Sequence, residues 1–129
     1  MLMHIPVSIG EILDKMSILE IKSERIADQK KQLNVRHELK VLNDELSKLD
    51  DLWEVIGDLY GQLKSVNEEL WVVEDDIRIK ESKKEFDDIF ISLARSVYVT
   101  NDKRANLKKE INLKMGSELV EEKSYEDYQ

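Results

Sequence analysis

Residues 63–107, "LKSVNEELWVVEDDIRIKESKKEFDDIFISLARSVYVTNDKRANL", contain two apolar stripes separated by a short polar segment. Apolar residues recur at spacings of four and three on both sides of Ser82, a pattern typical of helices that pack along each other at a shallow angle. Ser82 and Glu85 have the Ser-x-x-Glu spacing of a helix capping box, so we predict a turn near residues 80–84. The stretch therefore predicts a long antiparallel helical hairpin.

The second stripe is interrupted by the polar sequence TNDKR, residues 100–104. Its first three residues all favour the N-cap position, so the helix either ends at Val99 and restarts or continues through them. The apolar phase is unchanged beyond the interruption, because Leu107 and Ile111 stay in register with Val97. A helix break usually resets this phase, so we favour one continuous helix.

The hairpin brings the polar residues of its two stripes to similar levels. In such a hairpin, the sequence numbers of two residues that lie opposite each other add up to about 163–168. Asn67 then lies level with residues 96–101 and Glu74 level with residues 89–95. Polar groups inside a helical bundle are costly unless they are paired, so we predict one connected polar layer. The predicted members of this layer are Asn67, Glu74, Arg78, Arg95, Tyr98, Thr100, Asn101 and Arg104.

Two functions fit such a layer. It fixes the register of the helices and their choice of partner, as buried polar residues do in coiled coils. Alternatively it forms a pocket for a small anion, a nucleotide or a carboxylate, in which Arg95 and Arg104 supply forked donors and Glu74 acts as a base. We favour the structural reading, assign no catalytic residue and regard enzymatic activity as the less favoured alternative.

The flanking sequence predicts further helices. Ser8 and Glu11 form a capping box for a first helix that closes near Asp28, and a second helix is predicted to start at Asn34. We expect a break between residues 48 and 58, where Asp51 and Glu54 have N-cap spacing. A left-handed C-cap is expected at Gly116.

The predicted fold is therefore an all-α bundle of four to five helices built on one long antiparallel hairpin, with the first helix packed across it. Residues 1–116 form a single helical domain. Residues 117–129 form an acidic tail that we expect to be partly disordered.

Composition narrows the function classes. The 129 residues carry a net charge of −8 and no cysteine, so we expect neither nucleic-acid nor membrane partners, and no disulfide or Cys-ligated metal. His4 and His37 lack partners at metal-ligand spacing, and no cofactor-binding motif is present, so we predict no metal and no cofactor. No signal peptide or apolar run of membrane-spanning length is recognisable, which favours a cytoplasmic protein. Long apolar stripes in so short a chain favour self-association, as a homodimer or with a protein partner.

Three blocks of the sequence resemble an uncharacterised family of small helical proteins from bacteria and their phages. They are "VSIGEILDKMSILEIKSERI" (7–26), "LKSVNEELWVVEDDIR" (63–78) and "FISLARSVYVTNDKRANLKKEIN" (90–112) with "GSELVEEKSY" (116–125). The resemblance implies a conserved helical protein in the cytoplasm of a bacterial or phage-infected cell. It implies no activity or substrate.

Overall fold

The computed structural model describes residues 1–119 and 121–128, and this part of the chain contains four α-helices and no β-strand. The helices are α1 (Ile9–Arg25), α2 (Gln29–Leu46), α3 (Leu52–Ser82) and α4 (Asp88–Lys114). The prediction of an all-α bundle is confirmed, with four helices in the described residues. None of these helices is both long enough and apolar enough to cross a membrane.

The long hairpin consists of α3 and α4, and its turn, residues 83–87, begins within the predicted range of 80–84 and extends beyond it. The capping residue differs, however. Ser82 ends α3 and its hydroxyl donates to the carbonyl of Ile79 (2.7 Å), whereas the Asp87 carboxylate accepts from the Phe90 N–H (3.0 Å) and caps α4. Lys80 closes the turn by pairing with Asp87 at 2.8 Å. The prediction of a Ser82–Glu85 capping box is therefore wrong, because Asp87 rather than Ser82 occupies the N-cap position of α4.

The fourth helix runs without a break through the polar sequence 100–104, so the prediction of continuity is confirmed. It ends in a Schellman motif at Gly116, which adopts the predicted left-handed conformation with φ 63°. The N–H of Ser117 donates to the carbonyl of Asn112 at 2.9 Å, and the N–H of Gly116 donates to that of Leu113 at 3.3 Å.

The corner between α1 and α2 differs from the prediction. Asp28 caps α2 rather than closing α1, because its carboxylate accepts from the Lys31 N–H at 2.9 Å. α2 therefore begins at Gln29, five residues before the predicted start at Asn34.

The side-chain amide of Gln32 ends α1 from across this corner. Its Nε2 donates to the carbonyl oxygens of Ser23 (3.0 Å) and Ile26 and lies 3.2 Å from that of Lys22, which also accepts from the Ile26 N–H. A helix end leaves such carbonyl oxygens short of backbone donors. The first turn of α2 is thus fixed to the last turn of α1.

The expected break between the second and third helices lies at residues 47–51. Asp51 occupies the N-cap position in a left-handed conformation (φ 57°), and its side chain makes no capping hydrogen bond to the described residues. The first helix begins as predicted, since the Ser8 hydroxyl accepts from the Glu11 N–H at 3.1 Å.

The hydrophobic core occupies one end of the hairpin, where α1 crosses α3 and α4. Its buried members are Leu13, Met16, Leu46, Leu52, Ile56, Leu59, Leu63 and Ile111. Beyond this core the hairpin continues as two helices alone. We call residues 71–99 the arm, and none of them is buried.

Candidate functional site

The carboxylate of Asp14 lies at the centre of a buried polar cluster formed by α1, α3 and α4. Only 2% of this residue is exposed. Its Oδ1 accepts from Nε of Arg104 at 2.8 Å and from Nδ2 of Asn67 at 3.0 Å, and its Oδ2 accepts from Nη2 of Arg104 at 2.5 Å. Asn67 Nδ2 also donates to the hydroxyl of Ser17 at 2.7 Å. We call Asp14, Ser17, Asn67 and Arg104 the buried cluster.

Helical periodicity explains why these four side chains meet. Asp14 and Ser17 are three residues apart and lie on the same face of α1, and the Ser17 hydroxyl also donates to the Asp14 carbonyl at 2.7 Å. Asn67 and Arg104 occupy polar positions in the apolar stripes of α3 and α4. A buried carboxylate is tolerated only when it is paired and hydrogen-bonded, and here α3 and α4 supply those partners.

Arg104 is held by two parallel hydrogen bonds to one carboxylate. The Asp14 hydrogen bonds raise the pKa of Arg104 further above its usual value, against the opposing effect of desolvation. Its remaining Nη1 lies 3.5 Å from Oδ1 of Asn101. The positive charge of Arg104 is therefore already neutralised within the protein.

A second set of polar contacts joins α1 to α4 one and two turns further along. Lys108 Nζ lies 2.8 Å from the Glu11 carboxylate and 3.3 Å from that of Glu121. The Asn112 side-chain oxygen accepts from the Gly10 N–H at 2.7 Å. Burial alone would lower the pKa of Lys108, but its acidic neighbours, with the Glu11 hydrogen bond foremost, raise it.

α1 and α4 approach each other closely at Gly10. A Cβ atom at this position would lie 2.6 Å from the Lys108 carbonyl oxygen and 2.9 Å from the Asn112 Oδ1. The first of these contacts is with backbone, which cannot rotate away. Glycine is therefore required here for close packing rather than for a special backbone conformation.

The structure brings only part of the predicted polar layer together. Asn67, Asn101 and Arg104 meet around Asp14, as described above. Thr100 is also buried, on α4 next to this group. Glu74 and Arg78 pair with each other across one turn of α3.

The other two predicted members lie elsewhere. Arg95 is exposed on the arm. Tyr98 packs edge-to-face against Tyr128, with ring centroids 5.2 Å apart. No hydrogen bond joins either residue to the buried cluster within the described part of the chain, although Tyr98 lines one cavity with Asn101 and Arg104.

An open cleft of about 460 Å³ lies where the arm leaves the core. It is lined by Ile18, Asn67, Leu70, Trp71, Glu74, Asp75, Arg78, Asn101 and Arg104. Its two arginines each pair with a carboxylate, so the cleft carries little uncompensated positive charge for an anion. Among the described residues, no group of three His, Asp or Glu side chains is placed to hold a metal ion.

Sequence reasoning missed Asp14 and Ser17, which complete the cluster. Both are polar residues inside an amphipathic helix, and such residues normally face solvent. A signal was present nonetheless: an arginine in an apolar stripe needs an acidic partner, and α1 is the helix predicted to pack across the hairpin.

The fold and the buried cluster define a small all-helical protein in which one helix is fixed across the base of a long hairpin by an ion pair. Residues 3–128 match the family model of DUF6165, a family of unknown function, and the chain belongs to that family. The expectation of an uncharacterised helical family is thereby confirmed. Neither the curated proteins nor the solved structures contain a match to this chain.

Proposed function

We propose that this protein is a cytoplasmic self-associating module in which the arms of two copies pack together. One observation carries the proposal: no residue of the arm is buried, although both of its helices are rich in apolar residues. The half-buried apolar residues of the arm include Trp71, Val73, Ile77, Phe90, Leu93 and Val97. Its exposed apolar residues are Val72, Ile79, Phe86, Ile89, Ile91, Tyr98 and Val99.

Two helices alone cannot enclose a core. Each helix of a pair buries only the strip that faces its neighbour, whereas a bundle of four encloses its apolar positions between all of them. Contiguous exposed apolar surface on a soluble protein usually marks an interaction site. A second arm would complete the bundle that this hairpin begins.

The face of the arm that continues the α1 contact surface is the proposed interface. On α3, Trp71, Glu74 and Arg78 follow Asn67 at helical spacing, and all four line the cleft next to α1. On α4, Ala94 lies seven residues before Asn101, within about 20° of it around the helix, and Ile91 lies one turn before Ala94, about 80° from Asn101. In the core α1 covers this side, and along the arm it is open.

Charge and size favour a second copy of the chain as the occupant. A two-fold axis near residue 76 would place Glu74 of each copy opposite Arg78 of the other, because these residues lie symmetrically about that point. The arm contains twelve helical residues of each helix, 71–82 of α3 and 88–99 of α4. At a rise of about 1.5 Å per residue and a width of about 10 Å per helix, the contact between two arms measures about 18 Å by 20 Å. Interfaces this small are typical of weak complexes, so we expect a dissociation constant on the order of 10 µM or weaker.

The alternative function, an anion pocket around Arg104, receives less support from the geometry. An incoming nucleotide or carboxylate would have to displace Asp14 from two hydrogen bonds and leave that carboxylate buried with fewer partners. The buried cluster is better suited to fixing helix positions.

A matched pair of variants tests the proposed interface. Ile91→Glu places a charge on it, whereas Ile89→Glu places the same charge about 200° around the helix at a residue of similar exposure. Sedimentation velocity from 5 to 500 µM should show a mass that rises with concentration for the natural protein and for Ile89→Glu. Ile91→Glu should remain monomeric with an unchanged helical circular dichroism spectrum.

Three results would overturn the proposal. The natural protein could remain monomeric up to 500 µM, the two variants could have equal effects, or only Ile89→Glu could dissociate the dimer. In the last case the arm associates through its opposite face.

A further inference from the structure

The described residues of the acidic tail, 117–119 and 121–128, turn back along α4. Val120 and Gln129 lie outside the described residues, and the remainder runs antiparallel to the helix. Glu122 lies 3.4 Å from Lys109, and Lys123 lies 2.6 Å from Asp102. The ring contact between Tyr128 and Tyr98 continues the same path toward the arm.

The surface beneath the tail has an ordered chemical pattern along α4, and we call it the α4 groove. Two lysines, Lys108 and Lys109, lie at one end, Asp102 lies in the middle, and Tyr98 lies at the other end. These positions span about 16 Å at the rise of an α-helix. The tail matches them in order with two acids, a lysine and a tyrosine.

A cavity of about 330 Å³ lies between the tail and the helix. Val97 and Ala105 contribute apolar surface to it, and Tyr125 contributes from the tail side. The hydrogen bond from Lys123 lowers the pKa of Asp102, so this carboxylate stays charged at neutral pH. The groove thus offers apolar contact as well as charge.

Two of the contacts that hold the tail lie near the surface and break easily. Both the Lys109–Glu122 and Lys123–Asp102 pairs are substantially exposed to solvent, and such pairs typically change an equilibrium by less than about fivefold each. Salt weakens them further. Another segment with the same order of acidic, lysine and tyrosine side chains can therefore displace the tail from the α4 groove.

We propose that the α4 groove is a docking site for an acidic, tyrosine-containing segment of another protein, with the chain's own tail as its intramolecular competitor. The tail is tethered at Gly116, so its effective concentration at the groove is on the order of millimolar. A separate peptide binds with an apparent affinity reduced by the fraction of molecules whose tail is already docked. Displacing the tail is then the step that admits the partner.

Two charge-reversal variants release the tail from opposite sides. Lys123→Glu changes the tail and leaves the groove intact, whereas Asp102→Lys changes the groove and repels the natural tail. Lys30→Glu, at an exposed position of α2, makes the same charge change away from the groove. Circular dichroism verifies that each variant keeps its helical content.

Synthetic peptides of residues 117–129 serve as probes, one with the natural sequence and one carrying Lys123→Glu. Each is titrated to several millimolar into ¹⁵N-labelled protein, and the amide signals of Tyr98, Asp102 and Lys109 are followed. The Lys123→Glu protein should bind the natural peptide roughly tenfold more tightly than the natural and Lys30→Glu proteins do. The Asp102→Lys protein should reverse the preference and bind the altered peptide.

The outcomes distinguish two possibilities: the α4 groove binds a segment of a separate molecule, or it holds only the tail that is covalently attached to it. Reversed preference in the two released proteins supports the proposal. If neither protein binds either peptide, the groove holds only its own covalently attached tail and the proposal fails. If both proteins prefer the same peptide, the contact between Asp102 and Lys123 does not select the partner, and the proposal also fails.

Discussion

Replacing Arg104 with methionine should destabilise the protein strongly, because it leaves the Asp14 carboxylate buried without its cationic partner. Methionine keeps much of the length and apolar stem of arginine but removes two charge-assisted hydrogen bonds. Only the amide of Asn67 would still donate to this carboxylate from α3 or α4. Removing one partner of a buried ion pair typically costs about 3–5 kcal/mol.

The expected cost lies at the lower end of that range, because 30% of the Arg104 side chain is exposed. We expect a loss of about 3 kcal/mol, which corresponds to a fall in melting temperature of roughly 10 °C for a chain of this size. Asp14→Asn should cost less, about 1–2 kcal/mol, because the unpaired guanidinium that it leaves can reach water. The double variant should show a coupling energy of about 1.5 kcal/mol or more.

Urea unfolding followed by circular dichroism at 222 nm measures these differences. At a protein concentration of about 5 µM, a dimer whose dissociation constant is on the order of 10 µM or weaker is largely dissociated. The transition midpoint should fall with an unchanged slope. Lys109→Met is the control, because it removes a cation whose pair with Glu122 lies on the surface, and it should cost less than about 1 kcal/mol. A loss below 1 kcal/mol for Arg104→Met, or additive losses in the double variant, would refute the assignment of this ion pair as the contact that fixes α1.

Two further predictions concern the α1–α4 contact. Gly10→Ala should cost about 2–3 kcal/mol in urea unfolding, because its Cβ would meet the Lys108 carbonyl oxygen, whereas Gly57→Ala, whose Cβ has no described atom within 4 Å, should gain roughly 0.5–1 kcal/mol. Equal effects at the two glycines would contradict this account of the helix contact. The raised pKa of Lys108 means that its charged form stabilises the fold fully below pH 10.5, its ordinary value, and that this contribution is lost as the pH rises through the higher folded value. Melting temperatures measured from pH 9 to 12 should therefore fall more steeply for the natural protein than for Lys108→Met, and parallel curves would exclude the linkage.

The hairpin and its continuous second helix could be predicted because they depend on local periodicity. The 3–4 spacing fixed which residues face inward, and the unchanged phase across residues 100–104 excluded a break. Gly116 was predictable for a similar reason, since a left-handed helix end favours glycine. Each of these features is decided by residues within a few turns of each other.

The buried cluster was only half predictable because its centre depends on contacts between distant segments. Asn67 and Arg104 are visible as polar interruptions of apolar stripes, but Asp14 lies 53 residues before Asn67 in sequence. Its burial results from α1 packing against the hairpin, which periodicity within α1 does not reveal. Asp28 was misassigned because a polar residue between two helices can equally well end one or start the next.

The concentration of buried residues at one end of the hairpin also has a consequence for how this chain can change over evolutionary time. No arm residue belongs to the core. Matched insertions or deletions of two helical turns in α3 and α4 would therefore change the length of the arm while the packing of α1 against the hairpin stays the same. The length of the arm and the stability of the fold can thus change independently of each other. In the proposed dimer, a lineage could lengthen or shorten the paired arms without redesigning the part that makes each copy fold.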